Sequence, residues 1–94
     1  MSSGHGAYAV EWTATARRTL SRLPEKVATA AMEFIYGALA ENPRRLGHEL
    51  RFDLDGLHSA RRGDHRIIYR IDDEGGRVII QVIEHRSDVY RPRG

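Results

Sequence analysis

The chain has 94 residues, with 15 Lys or Arg against 13 Asp or Glu, for a formal net charge of +2. That length suits one small domain, residues 1–94, with a modest core and correspondingly thin stability. The lack of cysteine excludes a disulfide framework and thiolate metal sites, and no apolar run approaches the length of a membrane span.

The charge is unevenly placed. Residues 44–94 carry eleven basic and nine acidic side chains, against four and four in residues 1–43. Every basic residue except Lys26 is an arginine. Arginine's planar fork grips phosphate bidentately, but codon bias accounts for such a count, so the positions of the arginines carry the argument.

Met1 to Gly6 is small and polar, lacks the apolar core of a signal peptide and is expected to be a disordered lead-in. Tyr8-Ala9-Val10-Glu11-Trp12 reads as a short strand. Thr13 then offers an N-cap to a helix from Ala14 to Leu23, with Ala16, Leu20 and Leu23 on one face and Arg17, Arg18 and Arg22 off it. Pro24 suits the first turn of a second helix. Its apolar stripe is Val27, Ala31, Phe34, Ile35, Ala38 and Leu39, and Asn42-Pro43 ends it. The two helices are expected to form an antiparallel hairpin packed on a sheet.

Arg44 to Asp55 reads as a polar, irregular connection. Arg44, Arg45, His48 and Arg51 make it basic, as a solvated loop or a nucleic-acid contact would be. The stretch from Leu57 to Tyr69 then folds as a hairpin about Gly63-Asp64. That turn pairs Arg62 with His65, Arg61 with Arg66, Ala60 with Ile67, Ser59 with Ile68 and Leu57 with Arg70. Alternation puts Leu57, Ser59, Arg61, Arg66, Ile68 and Arg70 on one face. His58, Ala60, Ile67, Tyr69 and Ile71 face the helices. Asp72 to Gly76 is a second turn, and Arg77 to Glu84 is a nearly continuous apolar strand of the buried kind. With Asp72 opposite Arg77, the alternation pairs Arg66 with Ile83 and Ile68 with Gln81, and brings His85 to the face of Arg61 and Arg66. Ser87 to Tyr90 reads as a terminal turn, and residues 92–94 as a loose tail.

Arg61 opposite Arg66 is the sharpest feature. Like charges directly opposed in an antiparallel pair cost about 0.2–1 kcal/mol. An anion held between the guanidiniums removes that cost and adds charge-assisted hydrogen bonds. An ion-pair network with Asp64, Glu84 or Asp72 is the competing explanation. His85 is a candidate acid or base, because histidine is the side chain whose unperturbed pKa lies nearest neutrality, although strand-end histidines are common. Tyr90 is a candidate proton donor or base-stacking group, or else an anchor for the C-terminus. The histidines at 5, 48, 58, 65 and 85 show no ligand spacing, so neither a metal site nor a cofactor is expected. RNA cleavage by the neighbouring 2′-OH suits this inventory: it needs positive charge for the phosphorane and groups that move protons. DNA lacks the 2′-OH.

The chain resembles the RelE branch of the RelE/ParE toxins of type II toxin–antitoxin pairs. The resemblance runs from Tyr8 to Tyr90. It is carried by Leu23-Pro24, Asn42-Pro43, Gly56 ahead of Arg61-Arg62-Gly63-Asp64-His65-Arg66-Ile67-Ile68-Tyr69, and the closing His85-Arg86-Ser87-Asp88-Val89-Tyr90-Arg91. It implies an α+β fold, with two N-terminal helices on a twisted, mainly antiparallel four-stranded sheet in the order β-α-α-β-β-β. It also implies a cytoplasmic bacterial toxin that cuts mRNA on the ribosome, and a RelB-like antitoxin that neutralises it. Promoter DNA would be met only through the antitoxin complex, and no membrane is involved. By this resemblance Arg66 matches the phosphate-stabilising arginine. Arg86 is similar to the arginine implicated in proton transfer or leaving-group stabilisation, and Tyr90 matches the C-terminal tyrosine. Better-known members carry lysines where Leu57 and Ser59 stand here, so Arg61 would supply that charge and His85 the base. Arg44, Arg45, Arg51, Ser59 and Arg70 are the expected nucleic-acid contacts. The alternative is a ParE-like toxin that inhibits DNA gyrase without cutting RNA.

Overall fold

A computed structural model describes residues 8–49 and 56–85. The expectations for Arg51, Arg86, Tyr90, the lead-in, the terminal turn and the tail lie outside those residues. Strand β1 (Ala9–Trp12) leads into helix α1 (Ala14–Ser21), then helix α2 (Glu25–Phe34) and a π-helical turn, Ile35–Leu39. A one-turn helix α3 (Pro43–Leu46) and strand β2 (His48–Glu49) follow, and then β3 (Leu57–Arg62), β4 (His65–Asp72) and β5 (Arg77–His85). Among the described residues the sheet has five strands in the order β1-β5-β4-β3-β2. Its pairings are antiparallel except that of β1 with β5, which is parallel. The α+β class is as expected. The fifth strand is the two-residue β2, which with α3 occupies part of what the sequence suggests is an irregular connection.

The helices cover one face of the sheet. Ala16, Ala31, Ile35 and Leu39 meet Ala60, Ile67, Tyr69, Val78, Ile80 and Ile83 in the core. Burial of this apolar surface is the main stabilising term. The stripe of α2 departs from its expected course at one point: Leu39 is buried as expected, but Ala38 is exposed and Ala40 is buried in its place. The π turn holds more residues per turn than an α-helix and so rotates the later side chains back.

The hairpin register is the expected one at every rung from Leu57↔Arg70 to Arg62↔His65. Gly63, the first loop residue, has φ +62°, as both primed turn types require. The register of β4 on β5 starts as expected at Asp72↔Arg77 and changes between Ile68 and Tyr69. Tyr69 pairs with Ile80, but Ile68 pairs with Val82, which leaves Gln81 as an extra residue in a β-bulge. Thr13 holds this point. Its backbone N–H donates to the Ile80 carbonyl at 3.0 Å and its hydroxyl to the Gln81 carbonyl at 3.0 Å. The same hydroxyl caps α1 by accepting from Ala16 N at 3.0 Å.

Tyr69, fully buried, anchors the edge of the sheet. Its hydroxyl donates to the Pro43 carbonyl at 2.5 Å, and burial pushes its pKa up to about 12. Gly47 permits the approach: a Cβ there would collide with the Tyr69 hydroxyl and lie 2.8 Å from the Ser59 carbonyl oxygen. No helix among the described residues is long and apolar enough to cross a membrane.

Thr13→Ala removes both the cap and the bond to the bulge, and should cost about 1–2 kcal/mol of stability in urea titration. Thr13→Ser keeps both hydrogen bonds and should recover most of the loss.

Candidate nucleic-acid interface

The face of the sheet opposite the helices carries the arginines. Arg61 on β3 lies opposite Arg66 on β4, and Arg66 lies opposite Glu84 on β5. The three form one row across three strands. Arg62↔His65 closes the two-residue loop, so Arg61↔Arg66 is the next, non-hydrogen-bonded pair, in which side chains approach most closely. Arg66 Nη2 donates to Glu84 Oε1 at 3.0 Å. Both side chains are about one-third exposed, at 35% and 37%. Arg66 Nε is buried and has no hydrogen-bond partner among the described residues. Arg61 is exposed and makes no ion pair within the described residues. Among the described residues the ion-pair explanation of the arginine cluster therefore accounts for one guanidinium and not for the other.

The next rung along the face is His48, Ser59, Ile68 and Val82, and the one beyond is Leu57, Arg70 and Ile79. Arg70 is exposed, with its guanidinium against Gly56. It stands four residues from Arg66 along β4, about 13 Å at the usual strand rise. Ser59 and Arg70 thus share the face with Arg61 and Arg66, as the alternation predicts.

His85 does not. It pairs with His65, and the two rings meet edge to face with centroids 4.8 Å apart. Ile83, 4% exposed, lies on the same side and packs in the core. The expectation that His85 joins Arg61 and Arg66 is overturned by the bulge. One extra residue at Gln81 moves every later side chain of β5 to the other face. Glu84 comes to the row in its place. Sequence reasoning had Glu84 only as one of three carboxylates able to neutralise the arginines. The run from Val78 to Ile83 is apolar at both parities, so its pattern does not reveal the change of face; Gln81 is the one polar residue in it.

Arg44 is also placed elsewhere. Its guanidinium grips the Asp73 carboxylate at 2.9 and 2.5 Å, and the Tyr8 hydroxyl donates to the same carboxylate at 2.9 Å. Asp73 follows the end of β4 remote from the hairpin loop, and exposed Arg45 sits beside Arg44 on α3. Neither is brought to the row. Arg44, and then Tyr8, hold the Asp73 carboxyl below its ordinary value. A second cluster at that end joins Arg77 to Asp72 at 2.7 Å and to Glu11 at 2.9 Å. Arg77, with the Gly75 backbone N–H, lowers the Asp72 carboxyl as well. On the helix side, a groove of about 270 Å³ lies between α2 and the hairpin loop, with Val27, Ala31 and Ile67 beneath Lys26, Arg62 and His65.

Comparison with known proteins connects this geometry to a family. Residues 10–90 match the family model described as ParE toxin of type II toxin–antitoxin system, parDE. The chain is 58% identical over 91 residues to Toxin RelE of Mycobacterium tuberculosis (strain ATCC 25618 / H37Rv), covering 97% of this chain and 93% of that protein. It is 49% identical over 84 residues to Toxin RelG of the same strain, covering 89% and 97%. In the crystal structure of the RelBE2 toxin–antitoxin complex from M. tuberculosis, one chain superposes with TM-score 0.82 at 48% identity, covering 85% of this chain and 99% of that one.

The lowered carboxyls make a prediction about acid stability. A depressed carboxyl stabilises the fold above its ordinary value, near 3.8 for Asp73, and that contribution is lost as pH falls through the folded-state value. Asp73→Asn should therefore lower stability at neutral pH and flatten its decline below about pH 4, as read by urea titration across the acid range.

Proposed function

The chain belongs to the ParE family of toxins of type II toxin–antitoxin systems, on its RelE branch, and from that membership we propose that it is an endoribonuclease that cuts mRNA on the ribosome. The observation that carries the reading is the opposed pair Arg61 and Arg66 on the face away from the helices, of which, among the described residues, only Arg66 is matched by a carboxylate. Two guanidiniums across one rung fit the non-bridging oxygens of a phosphodiester. They are most valuable when charge builds on the phosphorane. The 2′-oxygen attacks the neighbouring phosphorus as its proton is taken up. The O2′–P bond forms, the P–O5′ bond breaks, and the 5′-oxygen leaves with a proton. The products are a 2′,3′-cyclic phosphate and a 5′-hydroxyl.

Arg86 and Tyr90 are the groups we assign to proton transfer and leaving-group stabilisation, by their match to the closing motif of the RelE branch. His85 is left out of the reacting set, because its side chain belongs to the opposite face. Ser59 and Arg70 extend the phosphate-binding surface along the sheet. The partner that silences the protein is a RelB-like antitoxin, a reading supported by the likeness to the toxin of the RelBE2 complex. Promoter DNA is met through that complex, and the site of action is the bacterial cytoplasm.

Primer extension on ribosome-bound transcripts tests this reading. Arg66→Ala should lower the cutting rate about 10²–10³-fold, the usual cost of removing one electrostatic stabiliser. Tyr90→Phe should also abolish most cutting, while His85→Ala changes it little. Undiminished cutting by both Arg66→Ala and Tyr90→Phe would remove the site assignment. Inhibition of gyrase supercoiling with transcripts left intact would instead favour the gyrase-directed alternative.

A further inference from the structure

We propose that Glu84 selects the substrate: its carboxylate is a resident competitor for Arg66, so the face takes RNA whose geometry is already held and turns away free RNA. The inference rests on the reading of this face as an RNA-phosphate site and adds to it the basis of a preference between two presentations of the same polymer.

The argument starts from the bulge. Unbroken alternation would set apolar Ile83 beside Arg66, and both guanidiniums would stand open to any polyanion. The extra residue at Gln81 sets Glu84 there instead, with Oε1 at 3.0 Å from Arg66 Nη2. A phosphate that engages Arg66 must displace this carboxylate and then lie beside it. Displacement is feasible because both partners are partly in water, where ion pairs are weak. Arg61, which makes no ion pair among the described residues, offers the second contact that lets a phosphate win.

Free and held RNA meet this competition on unequal terms. A free strand must also give up its conformational freedom on binding. A strand already positioned by a larger particle presents its phosphate at high effective concentration, and the ordering cost has been met elsewhere. A competitor that weakens both by the same free energy drops the free strand below its binding threshold, while the held strand, with its effective concentration far above that threshold, stays bound. The other carboxylates paired on this face, Glu11 and Asp72, are engaged by Arg77 at the far end of the sheet, so among the described residues Glu84 is the one paired within the row. Glu84 transfers no proton in this role.

The test uses the full chain, a short fluorescent 2′-O-methyl RNA that cannot be cut, and three proteins: wild type, Glu84→Gln and Glu11→Gln. Glu84→Gln should bind the RNA about three- to tenfold more tightly, the effect of removing one charge adjacent to a phosphate in water. Glu11→Gln changes net charge equally but far from the row, and should bind as wild type does. With cleavable RNA, Glu84→Gln should cut free strands faster while cutting of ribosome-bound mRNA changes little. Equal or weaker binding by Glu84→Gln overturns the inference, as does the same gain in Glu11→Gln. If those results come with a wild type that cuts ribosome-bound mRNA, the nuclease reading stands alone. A wild type that cuts no mRNA takes both down.

Discussion

One hydroxyl group ties the two halves of this molecule together. Thr13 follows β1, caps α1 through Ala16 N and donates to the carbonyl of Gln81. A bulge leaves backbone groups outside the regular ladder, and a buried carbonyl without a partner is costly. The cap residue of the first helix meets that need on the fifth strand. A feature made by residues early in the chain thus supports an irregularity near its end. Every side chain of β5 beyond Gln81 depends on it.

The sheet separates its charges by position. At the end remote from the hairpin loop, Arg44, Asp73 and Tyr8 form one cluster, and Arg77, Asp72 and Glu11 another. These groups satisfy one another and brace the turn between β4 and β5. At the hairpin end the balance is different: among the described residues Glu84 pairs with Arg66, and Arg61 opposite it makes no ion pair. A surface optimised for stability alone has no reason to oppose two arginines there. Among the described residues the compensation is therefore uneven: carboxylates outnumber or match the arginines at one end of the sheet, and arginines outnumber the carboxylate at the other.

Much of this was legible from local chemistry. Gly63-Asp64 specifies a two-residue loop, and that loop imposes the register of β3 on β4 without reference to anything distant. The opposition of Arg61 and Arg66 follows at once, with Ser59 and Arg70 on their face. The cap at Thr13 and the break at Asn42-Pro43 were equally visible, since each depends on one or two residues. The stripe of α2 was readable through Ile35 and again at Leu39. Between them the π turn moved Ala38 into solvent, and nothing in Tyr36-Gly37-Ala38 marks that turn.

The partners of β5 were a different matter. By itself the sequence determined the α+β class, the two amphipathic helices, the hairpin and its arginine pair, because periodicity and turn chemistry are local. Tertiary structure decided which of two adjacent residues, Glu84 or His85, stands beside Arg66. Strand parity propagates from a distant turn, and a single bulge inverts it. A strand apolar on both faces carries no pattern to report the inversion. The bulge is held by a hydrogen bond to a residue 68 positions away, and only the folded chain brings the two together.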